Sequence, residues 1–169
     1  IRAIGEYRKG DNPRITGYEF HVIQLCTQTC PKDLILPYLR ETLQELRTRE
    51  PDPKPGYRAR VLIAGSEIDD PEFTKMCEMA GGLVVADRYC FGSTPGREVI
   101  ELKDDEDPLR QLCLHVMQHS ECARYIADEK VQQRRDTADR LAREFKADGI
   151  IYEQMKYCDY WGFERALVS

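Results

Sequence analysis

Three short apolar runs, each bounded by turn signals and separated from the next by helical patterns, restrict this chain to few folds. They are Arg60-Val61-Leu62-Ile63-Ala64-Gly65-Ser66, Gly82-Leu83-Val84-Val85-Ala86-Asp87-Arg88 and Gly149-Ile150-Ile151-Tyr152-Glu153-Gln154-Met155. Runs this short and continuous suit strands covered on both faces. Strands that alternate with helices join through right-handed crossovers into a parallel sheet.

The intervening segments carry helix punctuation. Asp70 precedes Pro71 and Gly81 closes that pattern, which predicts a helix over 71–80. Asp107-Pro108 repeats the signal for a helix over 108–119. A longer helix over 128–147 places Val131, Ala138, Leu141, Ala142 and Phe145 on one face, with arginines and acids opposite and Gly149 as its C-cap. Residues 1–56 read as a helical lead-in. A helix is favoured over Ile15–Leu25, and a clearer one opens at Cys30-Pro31 with Leu34, Ile35, Tyr38, Leu39, Leu43 and Leu46 as its buried stripe. Pro37 lies near that helix's start, and Glu50-Pro51-Asp52-Pro53-Lys54-Pro55-Gly56 is a linker. The expectation is α/β, a doubly wound parallel sheet of the Rossmann or flavodoxin kind, over residues 57–169, after the lead-in and Pro-rich linker of residues 1–56. A helix from Trp161 points toward a further strand, and the chain starts at Ile1 rather than Met, so a fragment of a larger subunit is expected.

Composition excludes several functions. A net charge of −5 offers no basic surface to nucleic acid or anionic lipid. With 33% charged residues, no stretch approaches the roughly 20 apolar residues of a membrane span. No secretory signal pattern opens the chain, so a reducing cytoplasm is expected, where the seven cysteines stay free or bind metal.

The cysteines carry the chemistry. Cys90 and Cys158 stand just past the second and third apolar runs, and ligands of open α/β sheets bind outside the carboxyl ends of the strands. Cys122 lies in the polar stretch His119-Ser120-Glu121-Cys122-Ala123-Arg124-Tyr125, between two helices. Soft thiolates select iron–sulfur clusters, zinc or Cu(I). Cysteines spread over separate loops suit a cluster held in a cleft, whereas zinc ribbons use close pairs such as C-x2-C, and Cys26-x3-Cys30 is the nearest pair here. Cysteine is equally a small buried hydrophobe, the reading that suits Cys77 and Cys113 on their helix faces. His21, His115 and His119 read as surface or internally satisfied residues. Gly65-Ser66-Glu67 ends the first strand as a turn or as a donor of N–H and hydroxyl groups to a ligand. Neither a G-x-G-x-x-G fingerprint nor a P-loop is present.

Asp87-x-x-Cys90-x-Gly92-Ser93, followed by Asp148-Gly149-Ile150-Ile151 and Lys156-Tyr157-Cys158-Asp159, resembles the D-component family of 2-hydroxyacyl-CoA dehydratases. That family also contains benzoyl-CoA reductase subunits and ATP-dependent double-cubane cluster reductases. The resemblance covers roughly residues 58–169. It implies an iron–sulfur cluster, 4Fe-4S or double-cubane, at an interdomain crevice, with Cys158 the firmest ligand, Cys90 next, and Cys122 joining where the cluster is larger. It implies a second homologous subunit, an ATP-dependent activator protein donating low-potential electrons, and an acyl-CoA substrate. In the dehydratases water is lost from a 2-hydroxyacyl-CoA through a ketyl radical. A cluster-free structural partner domain is the alternative of another class. Thr94-Pro95-Gly96-Arg97 departs from the family by delaying its arginine. A cubane takes about four ligands, so the three cysteines do not close one by themselves. If they serve one site, Cys90, Cys122 and Cys158 converge on one edge of the sheet, away from Cys77 and Cys113.

Overall fold

Strand β1 (Ala59–Gly65) occupies the centre of a parallel sheet, with β2 (Gly82–Arg88) on one side and β3 (Gly149–Glu153) on the other. The computed structural model describes residues 1–51, 56–94 and 98–168; linker residues 52–55 and the Pro95-Gly96-Arg97 segment lie outside them. The helices are α1 (Arg2–Gly5), followed by a 3-10 turn (Glu6–Arg8), α2 (Gly17–Thr29), α3 (Lys32–Thr48), α4 (Pro71–Met79), α5 (Pro108–His119), α6 (Asp128–Glu144) and α7 (Asp159–Val168).

The order β2-β1-β3 is doubly wound: the chain steps from β1 to one neighbour, then returns past β1 to the other. Right-handed crossovers in opposite directions deliver helices to opposite faces. On one face Phe73 and Cys77 of α4 pack against Val61, Ile63 and Val84. On the other, Leu141 of α6 and the following Phe145 pack against Leu62, Ala64, Leu83 and Val85. Between Val61 and Leu62 the register slips, so that Val61 pairs with Val84 but Leu62 pairs with Ala86. Val85 is the extra residue of a β-bulge.

Local signals explain most boundaries. Asp70 accepts the Glu72 N–H at 3.0 Å and Asp107 accepts the Arg110 N–H at 2.9 Å, each with proline at the first helical position. Thr16 and Glu19 form a reciprocal capping box at α2. Three expectations need correction. Strand β3 stops at Glu153 rather than 155, because the Ser66 hydroxyl accepts the Met155 N–H at 2.6 Å and turns the chain off the sheet. Helix α6 ends at Glu144, and its left-handed residue is Lys146 (φ 52°), not Gly149, which opens β3. The stripe on α3 is only partly buried: Leu46 is buried, but Leu34 and Tyr38 are 62% and 66% exposed.

The lead-in packs closely on the β2 side. Gly17 lies where a Cβ would stand 2.5 Å from the Val84 Cβ, so only glycine lets α2 approach β2. Arg8 pairs with Asp87 at 2.9 Å, both buried, and its guanidinium lies 3.7 Å from the Phe20 ring centre. Arg60 of β1 donates to the carbonyls of Gly10 (3.0 Å) and Phe145 (2.8 Å), tying lead-in, sheet and α6 together.

Candidate functional site

The carboxyl ends of the three strands are joined through one residue. Ser66, 1% exposed at the end of β1, donates its hydroxyl to Glu153 Oε2 at 3.0 Å and accepts the Met155 N–H. Its carbonyl accepts the Cys90 N–H at 3.0 Å. One serine therefore fixes where the chain leaves β2 toward Cys90 and where it leaves β3 toward Cys158. The Gly65-Ser66-Glu67 turn is the keystone of this edge.

The segment that carries Cys90 is folded by its own residues. The Asp87 carboxylate accepts the Ser93 N–H at 2.5 Å, and the Ser93 hydroxyl donates back to the Asp87 carbonyl at 3.1 Å. Gly92 sits against the Asp87 carboxylate and the Tyr89 ring, where a Cβ would lie 2.8 Å from the ring. The D-x-x-C-x-G-S spacing is thus a tight turn that presents Cys90 beyond the strand. After β3, Tyr157 adopts a left-handed backbone (φ 72°), uncommon for an aromatic residue, directly before Cys158. The Cys158 N–H donates to the Met155 carbonyl at 3.0 Å, and α7 starts at the next residue.

Cys122 reaches the same place from the loop between α5 and α6. With Cys90 it lines a cleft of about 280 Å³ whose walls include Arg88, Glu121, Val116 and Trp161. Trp161 is 3% exposed and hydrogen-bonds to Cys90; Arg88 lies 5.2 Å from the Trp161 ring centre and pairs with Glu121 at 3.2 Å. Arg124 donates to the Cys122 sulfur at 3.4 Å. Burial pushes the Cys90 thiol up to about 11, and Cys122, Glu67 and Cys158 act in the same direction, against the Trp161 hydrogen bond. All three cysteines are half-buried; Cys90 and Cys122 line the cleft, and Cys158 follows the end of β3 outside its lining.

Among the described residues, no group of three or more His, Cys, Asp or Glu side chains stands together closely enough to hold a metal ion. Thiolates around a single tetrahedral zinc lie within roughly 4 Å of one another. A cluster spreads its cysteines over several irons and accepts wider spacing. Cys90 and Cys122 share this largely apolar cleft and receive hydrogen bonds from Trp161 and Arg124, a soft-donor lining of the kind a cluster takes.

The remaining candidates fall elsewhere. His21 is fully buried between the Thr74 hydroxyl (2.9 Å) and the Ile68 carbonyl (3.0 Å), a satisfied core histidine. His115 and His119 stack at 4.4 Å on α5 and line the outer wall of the cleft. Cys77 is half-buried against the core, as a small hydrophobe is, but Cys113 is exposed: α5 buries none of its residues, so its inner face does not pack as expected. On α7, Trp161 lines the cleft, whereas Phe163 is 71% exposed.

Sequence reasoning passed over Arg88, Glu121, Arg134 and Glu164. Arg134 left a signal: it falls at helical spacing between Val131 and Ala138, on the stripe of α6 that packs inward, and not on the opposite face with the other arginines. A charge on an apolar stripe calls for a buried partner, which here is Glu164.

No helix among the described residues is long and apolar enough to cross a membrane. No curated protein matches the chain. The family described as 2-hydroxyglutaryl-CoA dehydratase, D-component, matches residues 1–169, which extends the kinship from the α/β region through the helical lead-in. A doubly wound sheet with its thiol-bearing turns at the strand ends, and a family match along the whole chain, make this protein a member of the 2-hydroxyglutaryl-CoA dehydratase D-component family.

Proposed function

We propose that this chain is an iron–sulfur component of an ATP-dependent, low-potential dehydratase acting on 2-hydroxyacyl-CoA thioesters, with Cys90, Cys122 and Cys158 as thiolate ligands. What supports the reading is that Cys90 and Cys122 line one cleft at the carboxyl edge of the sheet, and that the chain leaves β3 toward Cys158 at the same edge. Bound there, a cluster of 4Fe-4S or larger type supplies single electrons at low potential.

The chain's own residues have definite tasks in this reading. Cys90 holds its proton firmly when buried, so metal loading must expel that proton, and loading weakens as pH falls. Trp161 excludes water from the inner wall and donates to the Cys90 sulfur. Arg88 places a positive charge beside the crevice where thiolate charge accumulates. Further ligands and the acyl-CoA come from outside the described residues, with a second homologous subunit and an ATP-hydrolysing activator as partners in the cytoplasm.

The test is anaerobic reconstitution of the full-length protein followed by iron and sulfide analysis. The expected result is iron and acid-labile sulfide in comparable amounts, lost in Cys90→Ser and Cys158→Ser. Iron at background level after reconstitution would overturn the reading in favour of a structural partner domain.

A further inference from the structure

A buried ion pair and a partly buried one flank Cys122, and each ties it to one of the other cysteine-bearing segments. Glu121, its neighbour in sequence, pairs with Arg88, two residues before Cys90. On the other side, Arg134 of α6 donates to the carbonyls of Cys122 (3.4 Å) and Tyr125 (2.8 Å). The same guanidinium makes a two-pronged pair with Glu164 at 2.7 Å on both bonds. Glu164 belongs to α7, the helix that begins one residue after Cys158. The Arg134 and Glu164 side chains are 2% and 3% exposed.

A buried ion pair gives back in desolvation much of what it gains in attraction, so an apolar pair of like volume often serves stability as well. What an apolar pair does not reproduce is the fork: a planar guanidinium that fixes a carboxylate on one side and two loop carbonyls on the other. We infer that Arg134–Glu164 and Arg88–Glu121 are positioning pairs, a double clamp that holds Cys122 in register with Cys158 through the first pair and with Cys90 through the second. The assignment deepens the thiolate-site reading and rests on it for its metal readout. Both pairs are made between protein side chains alone. The clamp presets the crevice before loading, so less ordering remains to be done when metal binds.

The experiment replaces Arg134 and Glu164 together, Arg134→Met with Glu164→Leu, in the full-length protein, so that no charge is left buried alone. Two readouts follow. In metal-free protein a short bis-maleimide adds to two nearby thiols, and mass spectrometry measures the Cys122–Cys158 cross-link. In reconstituted protein, iron is followed under a chelator challenge. The expected result is a melting temperature close to the parent's, a several-fold drop in that cross-link, and iron retention weakened about tenfold, the scale of outer-shell ligand support. A cross-link yield and iron retention equal to the parent's would overturn the clamp. Should the double variant fail to fold, Arg134→Lys keeps the charge and loses the fork, and a parental cross-link there overturns the proposal equally. Cys122→Ser separates the two readings: if it keeps parental iron while the double variant loses the cross-link, the ligand role falls and the clamp stands.

Discussion

The two outer strands of this small sheet live in different environments. Strand β2 is buried along nearly all its length, with α2 seated on it through Gly17 and the Arg8–Asp87 pair sealed beneath the lead-in. Strand β3 is shorter and half-covered, and Ile150 is 44% exposed although its sequence reads as core. Its hold on the molecule is concentrated in pairing with β1, the Ser66 bonds, and a hydrogen bond from the Tyr152 hydroxyl to the Trp161 carbonyl at 2.8 Å. Cys90 therefore hangs from the well-packed half, and Cys158 from the lightly packed one. The two cysteine-bearing turns are thus anchored to unequal depths.

The largest expected effect lies in the β2 half. Asp87→Ala leaves the Arg8 guanidinium buried without its carboxylate and releases the Ser93 turn; chemical denaturation should register a loss of about 3–5 kcal/mol. A change below 1 kcal/mol would mean the lead-in is not energetically coupled to the sheet.

Gly65→Ala attacks the other half alone. The new Cβ would run into the Glu153 carbonyl, so β1 and β3 must part at the edge where Cys158 is carried. A cost of about 1–3 kcal/mol is expected. Amide exchange should rise in 149–153 while 83–88 stays protected, and equal acceleration of both would break the division between the halves.

The acid response sharpens it. Burial holds His21 below the ordinary imidazole value of 6.5. The folded protein therefore keeps His21 neutral where the unfolded chain would take up a proton. Its contribution is full above 6.5 and is lost as pH falls through the folded value. Stability measured from pH 8 downward should decline below about 6.5, and His21→Gln should remove part of that slope. The smallest effect belongs to Ile150→Thr, expected within about 0.5 kcal/mol because the side chain is already half in water. A loss comparable with Asp87→Ala would show that β3 is covered in solution.

Much of the architecture was legible because it rests on local rules. Apolar runs too short for helices, Asp-Pro starts and Gly81 placed the strands and α4 and α5 within a residue or two. The cysteine edge was legible for a topological reason: residues just past parallel strands must lie at one end of a sheet. What escaped was set by pairing between distant residues. Nothing near Arg134 announces Glu164, thirty residues on, and nothing in α3 reveals that Leu34 faces water. Cys113 was misjudged because amphipathic spacing reports which residues share a face, not whether a neighbour covers it.

The extra residue at Val85 has a consequence that reaches the crevice. A strand presents its side chains to alternate faces, so a single inserted residue inverts the parity of everything after it. Upstream of the slip, Val84 faces α2 and α4; beyond it, Asp87 and Tyr89 face that way, and Arg88 turns to Trp161 and Glu121. Were the same residues laid out as a regular strand, the carboxylate would be delivered to the thiols and the guanidinium to the lead-in, reversing the sign of the charge at both places. Deleting Val85 would not do this: Ala86, Asp87 and Arg88 already pair with Leu62, Ile63 and Ala64, and they would keep those partners and faces. The electrostatic character of the site's mouth thus depends on the irregularity itself, which absorbs one residue of chain with no change of residue type.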